Sequence, residues 1–174
     1  MTVAPHSHAL LAVLVVAVLL VVVLFLRRRL SGRAARRYVL IDGSNVMYWR
    51  NSQPDLAPVK AVIARIRAAK AQPVVYFDAN AGYLLRGRYL NNAELARALG
   101  IASNRVLIAP KGTPADPLLL EAASGLRARI VTNDRYRDWT ADYPILKSRE
   151  LLVRGEWQKG RLTLNRELVA RKRA

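Results

Sequence analysis

Cysteine is missing from all 174 residues, and only two histidines occur, His6 and His8. The first absence excludes disulfides, thiolate catalysis and cysteine-ligated zinc. The second removes Ser-His and Cys-His hydrolase chemistry beyond residue 8, because no imidazole remains to act as a base. Acids are scarce too: 12 Asp and Glu stand against 29 Lys and Arg, for a formal net charge of +17. No internal repeat or low-complexity segment is visible. Chemistry in the main part of this chain must rest on a few carboxylates in basic surroundings.

The chain has one long apolar run. Ala9 to Leu26 contains no charge, Gly or Pro. As a helix at about 1.5 Å per residue it would span roughly 27 Å, close to a bilayer's hydrocarbon thickness. A cleaved signal peptide would want basic residues before the run and a small-residue cleavage site after it. Here the bases follow it, at Arg27, Arg28, Arg29, Arg33, Arg36 and Arg37. The positive-inside rule therefore predicts an uncleaved single-pass anchor at 9–26. Residues 1–8 would lie outside, a basic linker would occupy 27–37, and the domain that follows would face the cytoplasm.

Lipid-facing charge explains the arginines at 27–37. It does not explain bases scattered through the rest, such as Arg86, Arg97, Arg105, Arg127 and Arg161. A basic globular domain favours a polyanionic partner, most simply nucleic acid. Charge alone does not separate RNA, DNA and lipid headgroups.

The segment from Tyr38 to Asn45 organises the rest. Tyr38–Ile41 is a short run of β-forming apolar residues that stops at Asp42, before Gly43, Ser44 and Asn45. Ligands in open α/β sheets sit beyond the carboxyl ends of the strands, so Asp42 is expected to face a site. Met47, Tyr48 and Trp49 are read as the start of a short helix or loop. Asp55 caps a predicted helix to about Ala71, with Val59, Val62, Ile63 and Ile66 as its apolar stripe. Pro73–Phe77 is the second strand, ending at Asp78. Residues 81–90 resist assignment. Asn91 and Glu94 make a capping box for a helix that Gly100 stops. Val106–Ile108 is the third strand. Asp116-Pro117 reads as a cap and first position of a helix that ends at Gly125. Arg129–Val131 is the fourth strand, followed by Thr132-Asn133-Asp134, a helical turn to Trp139, and an edge strand at Ile145 and Leu146. A domain at 38–150 is then followed by a hairpin-like extension at 151–164 and a terminal basic helix. Strands that alternate with helices predict an α/β fold with a mostly parallel central sheet.

Four acids fall where such a sheet would gather them: Asp42, Asp116, Asp134 and Asp138, the last four residues past Asp134 and on its face if that turn is helical. Clustered carboxylates repel and call for a neutralising cation. Mg²⁺ or Mn²⁺ suits oxygen ligands and activates water without histidine. Each acid also has a structural reading: Asp42 as an Asx-turn, Asp116 as a helix cap, Asp134 and Asp138 as partners of Arg135 or Arg137. Asp78 is peripheral on this reading. Tyr48, Trp49, Tyr83, Tyr89, Tyr136 and Trp139 are mostly packing residues, of which one or two can stack bases.

Three blocks carry a resemblance: YVLIDGSNVMYW at 38–49, PADPLLLEAA at 114–123 and IVTNDRYRDW at 130–139. In order and spacing they resemble the NYN-type ribonuclease domains of the PIN-like superfamily, the Regnase-like branch in particular. The resemblance covers roughly residues 38–146. It implies a PIN-like, Rossmann-like three-layer sandwich and a metal-dependent endoribonuclease acting on single-stranded or looped RNA. Carried over, it makes Asp42, Asp116, Asp134 and Asp138 the acids around Mg²⁺ (or Mn²⁺), with Ser44, Asn45 and Asn133 supporting them. Arg50, Arg88, Lys111, Arg135 and Arg137 are the candidate RNA contacts. The expected partners are RNA and, through the amino-terminal helix, a membrane, and the chain is compatible with a homodimer. Ala115 departs from the pattern, since many relatives have two adjacent acids there, which points to weaker metal affinity or activity. The family's zinc finger is absent, as the missing cysteines require.

Other readings fit less well. A metal-dependent adhesion domain would need Ser where Val46 stands, and a haloacid-dehalogenase-like phosphatase would need an acid at Ser44. A binding module on the same fold with a degraded acid set is the main alternative, and a basic scaffold without chemistry is the simplest one.

Overall fold

The computed structural model describes residues 37–169. The Ala9–Leu26 run and the anchor expected there lie outside the described residues. Within them, no helix is long and apolar enough to cross a membrane.

The centre is a five-stranded sheet in the order β3-β2-β1-β4-β5, with every neighbouring pair parallel. β1 is Tyr38–Asp42, β2 Gln72–Phe77, β3 Val106–Ile108, β4 Arg129–Val131 and β5 Leu152–Val153. The chain runs outward from β1 through β2 to β3, then crosses back to place β4 on the other side of β1. That reversal beside β1 is the topological switch point, where crevices open in sheets of this kind.

Side chains alternate across β1, and this sorts the core into two layers. Val39 and Ile41 join one buried cluster with Val59, Val62, Ile63 and Leu95. Leu40 joins the other with Leu119, Leu120, Ala123 and Tyr136. The first layer is built by α2 (Leu56–Ala68) and α4 (Asn92–Leu99), the second by α5 (Ala115–Leu126). The short α1 (Gly43–Val46) leaves β1 directly, and α3 (Ala81–Arg86) follows β2. Helices on both faces of a parallel sheet make the α/β fold expected from the strand–helix alternation, in the three layers the resemblance implies.

Local signals explain most boundaries. Asp55 Oδ1 accepts from Ala57 N at 2.8 Å and starts α2. Asn91 and Glu94 form the reciprocal capping box of α4, each bond at 3.0 Å, and Gly100 ends it at φ +68°. Gly43 is needed for space: a Cβ there would lie 2.5 Å from the Phe77 ring.

Five expectations change. The helix begins directly after Asp42, at Gly43, and Met47 to Trp49 follow it as a turn. Asp116 does not cap α5, because Pro114 occupies the cap position and Asp116 lies in the first turn. Gly125 lies inside that helix, and Arg127 takes the left-handed closing conformation at φ +49°. Residues 134–138 are not an α-helical turn: Tyr136 adopts φ +50°, and only Arg137–Trp139 coil, as a 3₁₀ turn. Ile145 and Leu146 are likewise in a 3₁₀ turn (Pro144–Lys147), and the fifth strand is β5 at Leu152–Val153, beyond residue 150 where the sequence reading ends the domain.

The hairpin expected at 151–164 is present as β6 (Gly155–Gln158) paired antiparallel with β7 (Arg161–Leu164). It sits against the domain: a Cβ on Gly155 would meet the Trp49 ring at 2.2 Å. Residues 165–169 form no helix, and the rest of the predicted terminal helix lies outside the described residues.

Candidate active site

The ends of β1 and β4 are joined by a closed set of hydrogen bonds. Asp42 is buried, at 7 % exposure, and Thr132 at 0 % and Tyr136 at 2 % enclose it. Its Oδ1 accepts from Asn45 N at 3.1 Å, and its Oδ2 accepts from Thr132 Oγ1 and Tyr136 Oη, each at 2.9 Å. Thr132 Oγ1 accepts in turn from Asp134 N at 3.0 Å, and Asp134 Oδ1 accepts from Tyr136 N at 2.6 Å. The left-handed backbone of Tyr136 is thus held by the carboxylate two residues before it, and it turns the phenol inward. A non-glycine residue in that conformation costs on the order of 1–3 kcal/mol, which the ring's burial and two bonds offset.

Burial raises the Asp42 pKa to about 6, despite lowering by the bonds from Thr132, Asn45 and Tyr136; the charge of Asp116 adds to the rise. Asp116 is itself raised, first by burial, and then by Asp134 and Asp78, against a lowering bond from Trp139. Trp139 Nε1 donates to Asp116 Oδ2 at 3.3 Å. Tyr136 is pushed upward by its own burial and by Asp42, so it stays a neutral donor. Asp116 is therefore the electrostatic centre of the acids, coupled to Asp42, Asp134 and Asp78.

Asp78 is the acid that sequence reading left peripheral. Its Oδ1 accepts from Ala115 N at 3.1 Å, capping α5 from another loop. This releases the Asp116 carboxylate to face the site. Asp78 N donates to Ser44 Oγ at 2.8 Å, so Ser44 ties β2's end to α1.

Asn45 Oδ1 accepts from Trp49 Nε1 at 2.9 Å and from Asn133 N at 3.0 Å. Asn133 exchanges side-chain bonds with Gly155, donating to its O at 2.8 Å and accepting from its N at 3.2 Å. Both asparagines thus position loops, and Asn133 docks the hairpin to the site. Asp138 is exposed and makes no hydrogen bond or ion pair among the described residues. The helical spacing that would have aligned it with Asp134 does not form.

Sequence reasoning missed Thr132, Tyr136 and Trp139 as site residues. A hydroxyl at the end of a strand beside an acid was a usable signal for Thr132. None existed for Tyr136, whose role depends on a backbone conformation that no residue preference announces.

The family model of the Zc3h12a-like ribonuclease NYN domain matches residues 35–171. The chain belongs to this NYN family. Its fold is also similar to two solved structures of the nuclear proteinaceous, or protein-only, RNase P 2 of Arabidopsis thaliana. One aligns at TM-score 0.57 and 21 % identity over 76 % of this chain and 30 % of that one. Another aligns at TM-score 0.58 and 20 % identity over 97 % of this chain and 38 % of that one. The chain thus spans little more than a third of those proteins at most, and at such identities the likeness is one of fold. No curated protein matches the chain significantly. The family is one of ribonuclease NYN domains, and the neighbours share its α/β fold with a parallel sheet.

The acids of this NYN domain are all oxygen donors with no histidine or cysteine among them, the donor chemistry of a hard divalent cation. Among the described residues no three such groups converge closely enough to hold an ion by themselves.

The five candidate RNA contacts divide. Arg50 is paired with Asp55 at 3.0 Å and Arg88 with Glu94 at 2.8 Å. Lys111, Arg135 and Arg137 are exposed and in no ion pair among the described residues.

Proposed function

We propose that this NYN domain is a Mg²⁺- or Mn²⁺-dependent endoribonuclease that hydrolyses phosphodiester bonds of single-stranded or looped RNA. The observation that carries the reading is the grouping of Asp42 and Asp116 at one sheet end: burial raises both, Asp116 adds to the rise of Asp42, Asp134 and Asp78 add to that of Asp116, and no basic side chain is among the causes of either shift. A carboxylate cluster left uncompensated at a sheet's switch point is suited to a cation and a phosphate. A bound divalent ion would activate water and neutralise charge on the phosphoryl group under attack.

The chain's own residues do the rest. Asp116, with Asp134 and Asp42, would hold the ion, and Asp138 belongs to this set by family resemblance. Thr132 and Tyr136 keep the Asp42 oxygens oriented, and Trp139 does the same for Asp116. Lys111, Arg135 and Arg137 attract the RNA backbone. Asp42→Asn and Asp116→Asn are the decisive substitutions, because each keeps the shape and removes the charge.

We further propose that the Ala9–Leu26 run anchors the chain in a membrane with the nuclease domain on the cytoplasmic side. The bases at 27–37, all on one side of the run, support this orientation.

A second reading has specific support. By the family resemblance Ala115 stands where many relatives have a further acid, and among the described residues no three acids converge on one point. Both features suit an RNA-binding module with weak or no catalysis. The test incubates the full chain, in detergent, with labelled single-stranded RNA under Mg²⁺, Mn²⁺ or EDTA. Cleavage that needs metal and is lost in Asp42→Asn and Asp116→Asn supports the nuclease. Binding without cleavage under every condition supports the module.

A further inference from the structure

Beyond the acids, the loops after β2 and β3 enclose a cavity of about 560 Å³, lined by Asn80, Tyr83, Tyr89, Asn92, Pro110 and Lys111 among others. Tyr83 is 58 % exposed and Tyr89 53 %, an unusual placement for two large rings in so small a domain. Three of the other candidate aromatics are engaged, and Tyr48, 37 % exposed, lines no part of this cavity. Trp49 donates to Asn45, Tyr136 to Asp42 and Trp139 to Asp116.

The local fold brings the two tyrosines together. Gly82 lies so close to the returning chain that a Cβ there would meet Leu90 N at 2.4 Å and Arg88 O at 2.8 Å. Only glycine lets residues 88–90 fold back on α3 and place Tyr89 on the same cavity as Tyr83. Arg88 then secures the turn, donating to Tyr89 O at 2.9 Å while paired with Glu94. Asn91, joined to Glu94 by the capping box, leads into Asn92 at the cavity wall.

The same loops build the acid cluster. Asn80 lies two residues beyond Asp78. Lys111 lies four residues before Ala115, whose N–H Asp78 accepts. The cavity therefore flanks the acids on the β2–β3 side, and Arg135 and Arg137 flank them on the β4 side. A strand laid across the carboxyl ends of the strands meets the cavity, the acids and the two arginines in turn.

We propose that this cavity is a nucleotide subsite, holding an unpaired RNA base against Tyr83 and Tyr89 with its phosphate at Lys111. The proposal rests on the ribonuclease reading and adds how the strand is held. Aromatic faces accept any base by stacking, the Asn80 and Asn92 amides offer donors and acceptors to base edges, and the exposed Lys111 supplies the positive charge a phosphate requires. A paired base within a duplex has neither face free, so the subsite selects single strands.

The test measures dissociation constants of the full chain in EDTA, where metal-dependent cleavage is silent. The probes are a labelled unstructured 12-nucleotide RNA and the same sequence as a duplex. Tyr83→Ala and Tyr89→Ala are each expected to weaken single-strand binding about tenfold, and Tyr83→Phe and Tyr89→Phe hardly at all. Duplex binding is expected to change in none of them. Both rings are exposed, and matching thermal melts check that the variants fold. An abasic nucleotide at one position of the RNA should weaken wild-type binding and leave Tyr83→Ala/Tyr89→Ala unaffected.

Unchanged single-strand affinity in the double alanine variant would overturn the subsite, and metal-dependent cleavage by that variant would leave the nuclease standing. Tyrosine-dependent binding without cleavage in any metal would keep the subsite and overturn the nuclease. A wild-type chain that binds no RNA would overturn both.

Discussion

The Tyr136 hydroxyl donates to Asp42 Oδ2 at 2.9 Å across 94 positions of sequence, and this bond closes the floor of the candidate site. It links the loop after β4 to the end of β1, and it exists because Tyr136 accepts a left-handed backbone. It also counters part of the rise that burial imposes on Asp42.

Tyr136→Phe keeps the ring and removes that donor. A bond to a charged group is worth about 1.5–3 kcal/mol, so its loss should lift the Asp42 pKa further by about one unit or more. The acid limb of the pH profile for metal-dependent RNA cleavage is expected to move to higher pH, with the plateau rate changed much less. A limb that stays in place would show that Asp42 does not control it.

Folding stability without metal should fall as pH rises. The Asp42 pKa is 3.8 ordinarily and about 6 in the folded chain. Below the first value both states hold the proton. Between the two the folded chain binds more protons, so stability declines, and above the second the loss is complete. The difference corresponds to roughly 3 kcal/mol. Urea unfolding in EDTA from pH 4 to 8 should show this decline in the wild type and not in Asp42→Asn. Parallel curves would count against a buried charge at this position.

Asp78 has two separable roles, a helix cap and a charge near Asp116. Asp78→Asn is expected to keep the bond to Ala115 N, hold stability near the wild-type value, and lower the Asp116 pKa by removing a neighbouring charge. Asp78→Ala should also cost about 1 kcal/mol through the lost cap. Thermal melts of both variants separate the roles, and equal melting temperatures would deny the cap.

The basic residues should separate by their present partners. Arg135→Ala and Arg137→Ala are each expected to reduce the salt dependence of RNA binding by about one charge. Arg50→Ala should change it less, since Arg50 already faces Asp55 at 3.0 Å. The slope of log affinity against log salt measures this, and an Arg50→Ala effect equal to the others would show that its ion pair opens on binding.

Local chemistry announced β1 to β4 and the helices α2, α4 and α5, but not β5. A four-residue apolar run stopped by Asp42, an Asn91–Glu94 capping box and a helical stripe at Val59, Val62, Ile63 and Ile66 depend on neighbours a few positions apart. For the same reason composition leaves carboxylates, and not imidazole or thiol, as the candidate groups of the domain, and sets acids at the ends of β1 and β4. How those acids are arranged depends on long-range packing. Asp78 took the cap that Asp116 was expected to fill, because parallel pairing of β2 beside β1 brings its end under α5. Asp138 stayed outside the hydrogen-bonded set, because Tyr136 breaks the helical spacing. Tyr83 and Tyr89 share a cavity, because Gly82 lets the chain return within contact. Each outcome depends on which distant segment arrives nearby and at what angle, and residue preferences carry no information on that.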